Sequence, residues 1–167
     1  MDNSKALADP YFHIVLVRPE IPQNTGSVAR TAAATRTRLH LVGPLGFSID
    51  DRYLKRAGLD YWPLVDLQTY PNWEAFDSIH RTGDSADFRY FSARAEKSYL
   101  EAKYACGNFL VFGSETKGLG KEFLRERSGQ SYTIPIFEPG VRSLNLSNAV
   151  SIVLYEALRQ CGLIGRK

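Results

Sequence analysis

The sequence predicts an α/β domain, a mainly parallel sheet with helices on both faces. Two observations carry this. Short, largely apolar runs of strand length alternate along the chain with segments whose apolar residues recur at helical spacing. Several of these runs also lead directly into polar, glycine-containing segments, which is where ligands bind in such sheets, outside the carboxyl ends of the strands.

In order, residues 12–18 (FHIVLVR) are apolar and β-branched and read as a buried strand. Pro19, Pro22 and Gly26 break it, and the alanine-rich residues 27–35 read as a helix. Residues 39–42 form a second strand, closed by Gly43-Pro44. Residues 50–57 are expected to be helical, with Asp50 and Asp51 at the start and Gly58 at the end. A helix over 73–80 and a short strand at 90–91 follow, then a buried strand over 108–112 and a glycine-rich loop through Gly120. A short helix is expected over 121–127 and a strand over 132–137, interrupted by Pro135. The strongest helical pattern is 147–161. There Val150, Val153, Leu154, Ala157, Leu158 and Cys161 recur at helical spacing, and Gly162 ends the run.

The 167 residues suit a single domain spanning 12–167, with 1–11 as a tail. A composition of 44% hydrophobic and 23% charged residues is that of a globular protein. Cys106 and Cys161 are too few for a disulfide scaffold and lack metal-ligand spacing, so both are expected to be buried thiols of a reducing compartment. No signal peptide is recognisable, and no apolar run approaches the roughly 20 residues of a membrane span. A soluble, cytoplasmic protein is the expectation. The net charge is only +3, but between Arg18 and Arg56 seven basic side chains stand against three acidic ones. Such a zone suits either a polyanion or a solvated face.

Three segments could carry chemistry. In the first, residues 22–30 (PQNTGSVAR), Asn24 or Thr25 can cap a helix, Gly26 admits a neighbouring backbone, and Arg30 lies about a turn inside. Helix capping alone would account for it. The second, FGSETKGLG from Phe112 to Gly120, spaces Gly113 and Gly118 as a phosphate-binding loop does, but Leu119 stands where that loop needs lysine. This excludes a nucleoside triphosphatase, and the absence of G-x-G-x-x-G removes the dinucleotide fingerprint. What remains is a glycine loop with one carboxylate, Glu115. In the third, Ser143, Asn145, Ser147 and Asn148 crowd the start of the last helix, where unsatisfied N–H groups favour polar or anionic ligands. His13, His40 and His80 fall in different segments and do not read as a site, and His13 and His40 are expected in the core. Neither a metal cluster nor a Ser-His-Asp arrangement is recognisable.

Taken in order, Asn24-x-Gly26-x₃-Arg30, Phe112-Gly-x-Glu-x₂-Gly-Leu119 and Arg142-Ser-Leu-Asn-Leu-Ser-Asn148 resemble the three motifs of the SPOUT superfamily, the α/β-knot methyltransferases. The likeness extends from Phe12 to Gly162. It is strongest to the minimal subfamily of tRNA (cytidine/uridine-2′-O)-methyltransferases of the wobble nucleotide, which residues 56–61 (RAGLDY) also resemble. The resemblance implies a deep C-terminal trefoil knot and S-adenosyl-L-methionine (SAM) bound between the glycine loop and the final segment. Gly113, Ile134, Ser143, Leu144, Ser92 and Asn148 would meet the cofactor, although Ser92 stands where the family usually has a larger apolar residue. It further implies a metal-free homodimer, joined through the motif-one and final helices, that takes the anticodon stem-loop of tRNA. Arg18, Arg30 and Arg159 are the candidates for RNA contact. The implied catalytic group is Arg30 with Asn24, Glu115, Ser143 and Asn145 around it. In the implied reaction a ribose 2′-oxygen attacks the SAM methyl. A guanidinium, with a pKa above about 12, suits stabilisation of the developing alkoxide better than general-base work, but the sequence leaves both roles open. Methylation of another RNA site, or SAM or RNA binding without catalysis, are the alternatives.

Overall fold

The computed structural model describes residues 9–50, 52, 54, 60–82 and 87–165. Seven strands form one sheet: β1 (His13–Val17), β2 (Arg38–Val42), β3 (Leu67–Tyr70), β4 (Phe88–Phe91), β5 (Lys97–Ser98), β6 (Phe109–Phe112) and β7 (Ser131–Thr133). Among the described residues, helices α1 (Pro22–Ala34), α2 (Trp73–His80), α3 (Lys121–Arg125) and α4 (Leu146–Gln160) accompany it. The strand order is β3-β2-β1-β6-β4-β7-β5, and every pairing is parallel.

Strand periodicity sorts the core into two layers. Ile14, Leu16, Leu39, Leu41, Leu110 and Phe112 point to one face, where α1 and α4 cover them with Val28, Ala29, Ala32, Val150, Val153, Leu154, Ala157 and Leu158. The alternate residues Val15, Val17, Val42, Tyr90, Phe109 and Val111 point to the other, against Phe76 of α2 and Phe123 and Leu124 of α3. Helices thus lie on both faces, as the alternation predicts. Each fully buried aliphatic or aromatic side chain contributes roughly 1.5–3 kcal/mol.

Several sequence expectations need correction. The first helix begins at Pro22, not Ser27, because proline fits the first helical position, where its missing N–H costs nothing. Its N-cap residue is Ile21, with no capping side chain of its own, so neither Asn24 nor Thr25 caps it. The strand expected over 132–137 ends at Thr133, since the backbone before Pro135 leaves the sheet. The helix after Gly120 stops at Arg125. Strands β3 and β5 went unpredicted because LQTY and KS carry little apolar signal and lie at the two edges of the sheet. Cys106 is exposed and Cys161 only partly buried, contrary to the expectation of two buried thiols. The helix expected over 50–57 falls largely outside the described residues.

The end of α4 is a Schellman motif. Gly162, at φ 67°, sends its N–H to the Arg159 carbonyl, and the Leu163 N–H returns to the Leu158 carbonyl. Tyr11, expected in the tail, packs against the core and pairs with Arg36 and Gly107 through its backbone.

The three histidines converge beneath the sheet on the α2 side. His13 Nδ1 lies 2.8 Å from His40 Nε2, His40 Nδ1 lies 3.1 Å from the Tyr70 hydroxyl, and His80 Nε2 lies 2.8 Å from the same hydroxyl. Tyr70 donates to Gln68 Oε1 at 2.7 Å, so it accepts from both His40 Nδ1–H and His80 Nε2–H. His40 Nε2 then has no proton and accepts from His13 Nδ1–H. One glutamine oxygen thereby sets the tautomer of three neutral rings. Burial lowers the pKa of all three, His13 to about 4, with Arg38 the next cause for His13 and His13 itself the next for His40. His40 is fully buried, as expected, whereas His13 is only half-buried, and the two belong to one network with His80 rather than to separate sites.

Candidate active site

The strand order reverses beside β1, and the three polar segments meet in the crevice this opens at the carboxyl ends of β1, β4, β6 and β7. A cavity of about 600 Å³ lies there. Phe91, Phe112, Ile134 and Leu146 give it apolar walls, and Asn24, Ser92, Glu115, Ser143 and Asn145 supply polar groups.

The glycine loop after β6 is folded hard on itself. Ser114 and Gly118 pair as an antiparallel bridge, and the Gly118 N–H donates to the Ser114 carbonyl at 2.9 Å. A Cβ at Gly113 would collide with the backbone of Gly118 and Leu119, so only glycine allows this closure. The fold presents Glu115 to the start of α1. Its carboxylate accepts from the Glu20 N–H at 2.8 Å, the Ile21 N–H at 3.1 Å and Asn24 Nδ2 at 3.3 Å. A distant loop therefore caps α1, placing negative charge at the positive end of the helix dipole. Thr116 adds a hydrogen bond to the Glu20 carboxylate at 2.8 Å.

Asn24 passes the connection on. With Nδ2 given to Glu115, its Oδ1 accepts from Asn145 Nδ2 at 3.0 Å. Asn145 Oδ1 then caps α4, accepting from the N–H groups of Ser147 at 2.9 Å and Asn148 at 3.3 Å and from the Ser147 hydroxyl at 2.6 Å. A relay of side chains thus joins all three sequence segments, and each amide orientation is fixed by its neighbours.

Of the expected site residues, Asn24, Glu115, Ser143, Asn145, Ser92, Gly113, Ile134 and Leu144 all line the cavity. Asn148 does not. It is exposed on the first turn of α4, with its N–H engaged by Asn145. Arg30 is exposed on α1 outside the cavity lining, its guanidinium 5.3 Å from the centre of the Tyr61 ring. Arg18 lines a second recess of about 410 Å³ on the far side of the glycine loop, together with Lys117. Arg18 is also held at φ 52°, a left-handed backbone that non-glycine residues seldom adopt. Arg159 is paired at 2.8 Å with Glu156, whose pKa it lowers. Sequence reasoning missed Glu20, Arg94 and Ile136. Arg94 and Ile136 lie two residues beyond the site positions Ser92 and Ile134, which was the available signal. Among the described residues no group of three or more His, Cys, Asp or Glu could hold a metal, and no helix is long and apolar enough to cross a membrane.

A parallel sheet with a glycine-walled cavity at its switch point, closed by a relay between the helices, defines an α/β protein built to hold a nucleotide-like ligand. Comparison with known proteins gives the family. The model of the SpoU rRNA methylase family matches residues 11–155, and the chain belongs to that family. A tRNA (cytidine(34)-2′-O)-methyltransferase of Burkholderia ambifaria is 43% identical over 155 residues, covering 92% of this chain and 98% of its own. A Geobacillus stearothermophilus protein, provisionally named for the same reaction, is 49% identical over 149 residues, covering 89% and 94%. A solved structure described in terms of 2-OH methylation of C/U34 on tRNA superposes with a TM-score of 0.83 at 49% identity, covering 93% of this chain and 97% of that one.

Proposed function

We propose that the protein is a SAM-dependent tRNA methyltransferase that modifies the ribose 2′-hydroxyl of the wobble nucleotide, cytidine or uridine 34, as its relatives' names indicate. The relay from Glu115 through Asn24 to Asn145 around a single cavity is the observation that carries this reading. The cavity fits the cofactor. Its volume of about 600 Å³ falls within the roughly 300–1,000 Å³ of small-molecule sites, with apolar walls for a purine and a few convergent polar groups.

Gly113, Ile134, Leu144 and Ser92 would hold the cofactor, which supplies an activated methyl group. Asn24, Asn145 and Ser143 line the rim, where a ribose must be oriented. Glu115 already accepts three hydrogen bonds, so it acts by fixing the loop and α1 rather than as a base. Arg30 remains for the developing alkoxide and the adjoining phosphate. Because Arg30 lies outside the cavity of its own chain, we assign it to the site of a partner in a homodimer, with α1 and α4 at the interface. Ile21, Ile152 and Tyr155, exposed on or beside those helices, support that face. Arg18, and Arg159 once released from Glu156, extend the RNA-binding surface. The C-terminal knot, a single domain from residue 12 and a cytoplasmic location belong to the same reading.

The test is incubation with labelled SAM and total tRNA, followed by nucleoside mapping. A 2′-O-methylated nucleoside at position 34 is expected. Label in ribosomal RNA only, or in a base, would overturn the assignment.

A further inference from the structure

The chain has two cysteines, and the fold fastens the end of α4, which carries Cys161, to the loop that carries Cys106. Cys106 occupies the second position of a tight turn in which the Asn108 N–H returns to the Ala105 carbonyl at 3.1 Å. Gly107, at φ 89°, takes the third position as a type II turn requires, and the Asn108 side chain braces the turn through the Ala105 N–H at 2.9 Å. Cys161 is the C-cap of α4, held by the Schellman motif. Its sulfur lies 3.9 Å from the carbonyl of Tyr104, two residues before Cys106 in the same loop. Gln160, one residue earlier, pins the same loop by accepting from the Tyr104 N–H and donating to the Ala102 carbonyl, each at 3.1 Å. Both thiols therefore sit on rigid hosts that are already fastened to each other.

We propose that Cys106 and Cys161 are a redox pair that closes to an intrachain disulfide on exposure to hydrogen peroxide, clasping the 102–108 loop to the end of α4. Exposure makes Cys106 the entry point. Its thiol releases a proton, the sulfur attacks one peroxide oxygen, and the O–O bond breaks. The departing hydroxide takes up a proton as water and leaves a sulfenic acid. The Cys161 sulfur then attacks Cys106, the S–S bond forms, the S–O bond breaks, and hydroxide leaves with the Cys161 proton as a second water. Two thiols and one peroxide give one disulfide and two waters, with the peroxide reduced and the sulfurs oxidised. Burial raises the Cys161 thiol to about 11, with Cys106 adding to the rise, which keeps Cys161 protonated at neutral pH and leaves the first attack on peroxide to the exposed Cys106. The closed ring would run from Cys106 to Cys161 and enclose the glycine loop, the Ile134–Asn145 segment and α4.

The experiment treats the purified full chain with stoichiometric hydrogen peroxide, alkylates the remaining thiols and maps the peptides by mass spectrometry. A Cys106–Cys161 cross-link within one chain, reversed by dithiothreitol, is expected. Closure of so long a ring should raise Tm by about 5 °C or more. In Cys161→Ser the cross-link is lost, and Cys106 should proceed to sulfinic acid or link two chains. If wild-type protein gives mainly Cys106 sulfinic acid or interchain links, with Cys161 still free, or if Tm falls on closure, the proposal is wrong.

Discussion

Asn24 and Asn145 face each other across 3.0 Å although 121 positions separate them in the chain. Each is committed on both ends, Asn24 to Glu115 and Asn145 to the start of α4, so neither amide can turn without breaking a second contact.

Asn145→Ala removes the α4 cap and the bond to Asn24 together. A loss of about 1–2 kcal/mol is expected, a fall in Tm of a few degrees, with a larger proportional loss of methylation. Asn145→Asp keeps the cap oxygen but brings no donor to Asn24, so in thermal melts it should retain most of the stability while activity still falls.

Gly113→Ala tests the glycine loop. The added methyl meets the backbone of Gly118 and Leu119, which cannot yield as a side chain tip can. Calorimetry should show SAM binding weakened at least tenfold, whereas Gly129→Ala, where a Cβ meets nothing within 4 Å, should bind normally.

Arg30→Ala should abolish methylation and leave SAM affinity within tenfold of wild type, because Arg30 does not line the cavity. Mixing Arg30→Ala with Arg159→Ala chains measures site sharing. Activity recovered above that of either parent indicates sites built from two chains, and a fully active monomer would exclude the proposed dimer.

The histidine network makes stability pH-dependent with a fixed sign. In the unfolded chain these rings take up protons near the ordinary 6.5, whereas folded His13 does so only near 4. The full contribution is present above about 6.5 and is lost as pH falls towards about 4, because the unfolded chain then binds more protons. The urea midpoint should fall across that window. Replacing His40 by leucine lowers stability at neutral pH, since His13 and Tyr70 lose their partner, but should flatten the slope.

The architecture was legible where apolar residues are dense, as in β1 and β6, which are continuous buried runs, and in α4, whose buried residues recur at helical spacing. It was illegible where pairing is set from elsewhere. β3 is an edge strand ordered by β2, and Ile21 ends up capped by a carboxylate 94 positions away. Most of the site was legible for a different reason. Capping residues, glycines and a lone carboxylate cluster visibly in three segments, although nothing local reveals that Glu115 reaches Asn24 or that Asn24 reaches Asn145. Nothing local in the sequence places the Arg30 side chain over Tyr61, outside the cavity. The three histidines looked unrelated because β1, β2 and α2 meet only in the folded sheet.

The relay also governs when the molecule becomes competent during synthesis. Glu115 is translated long after the α1 terminus it caps, and Asn145 later still, so β1, α1 and β2 can leave the ribosome with nothing to complete their site. A message cut short between Thr133 and Asn145 would encode all seven strands but not the residue that closes the rim. The rim of the cavity therefore closes only when the chain is nearly complete.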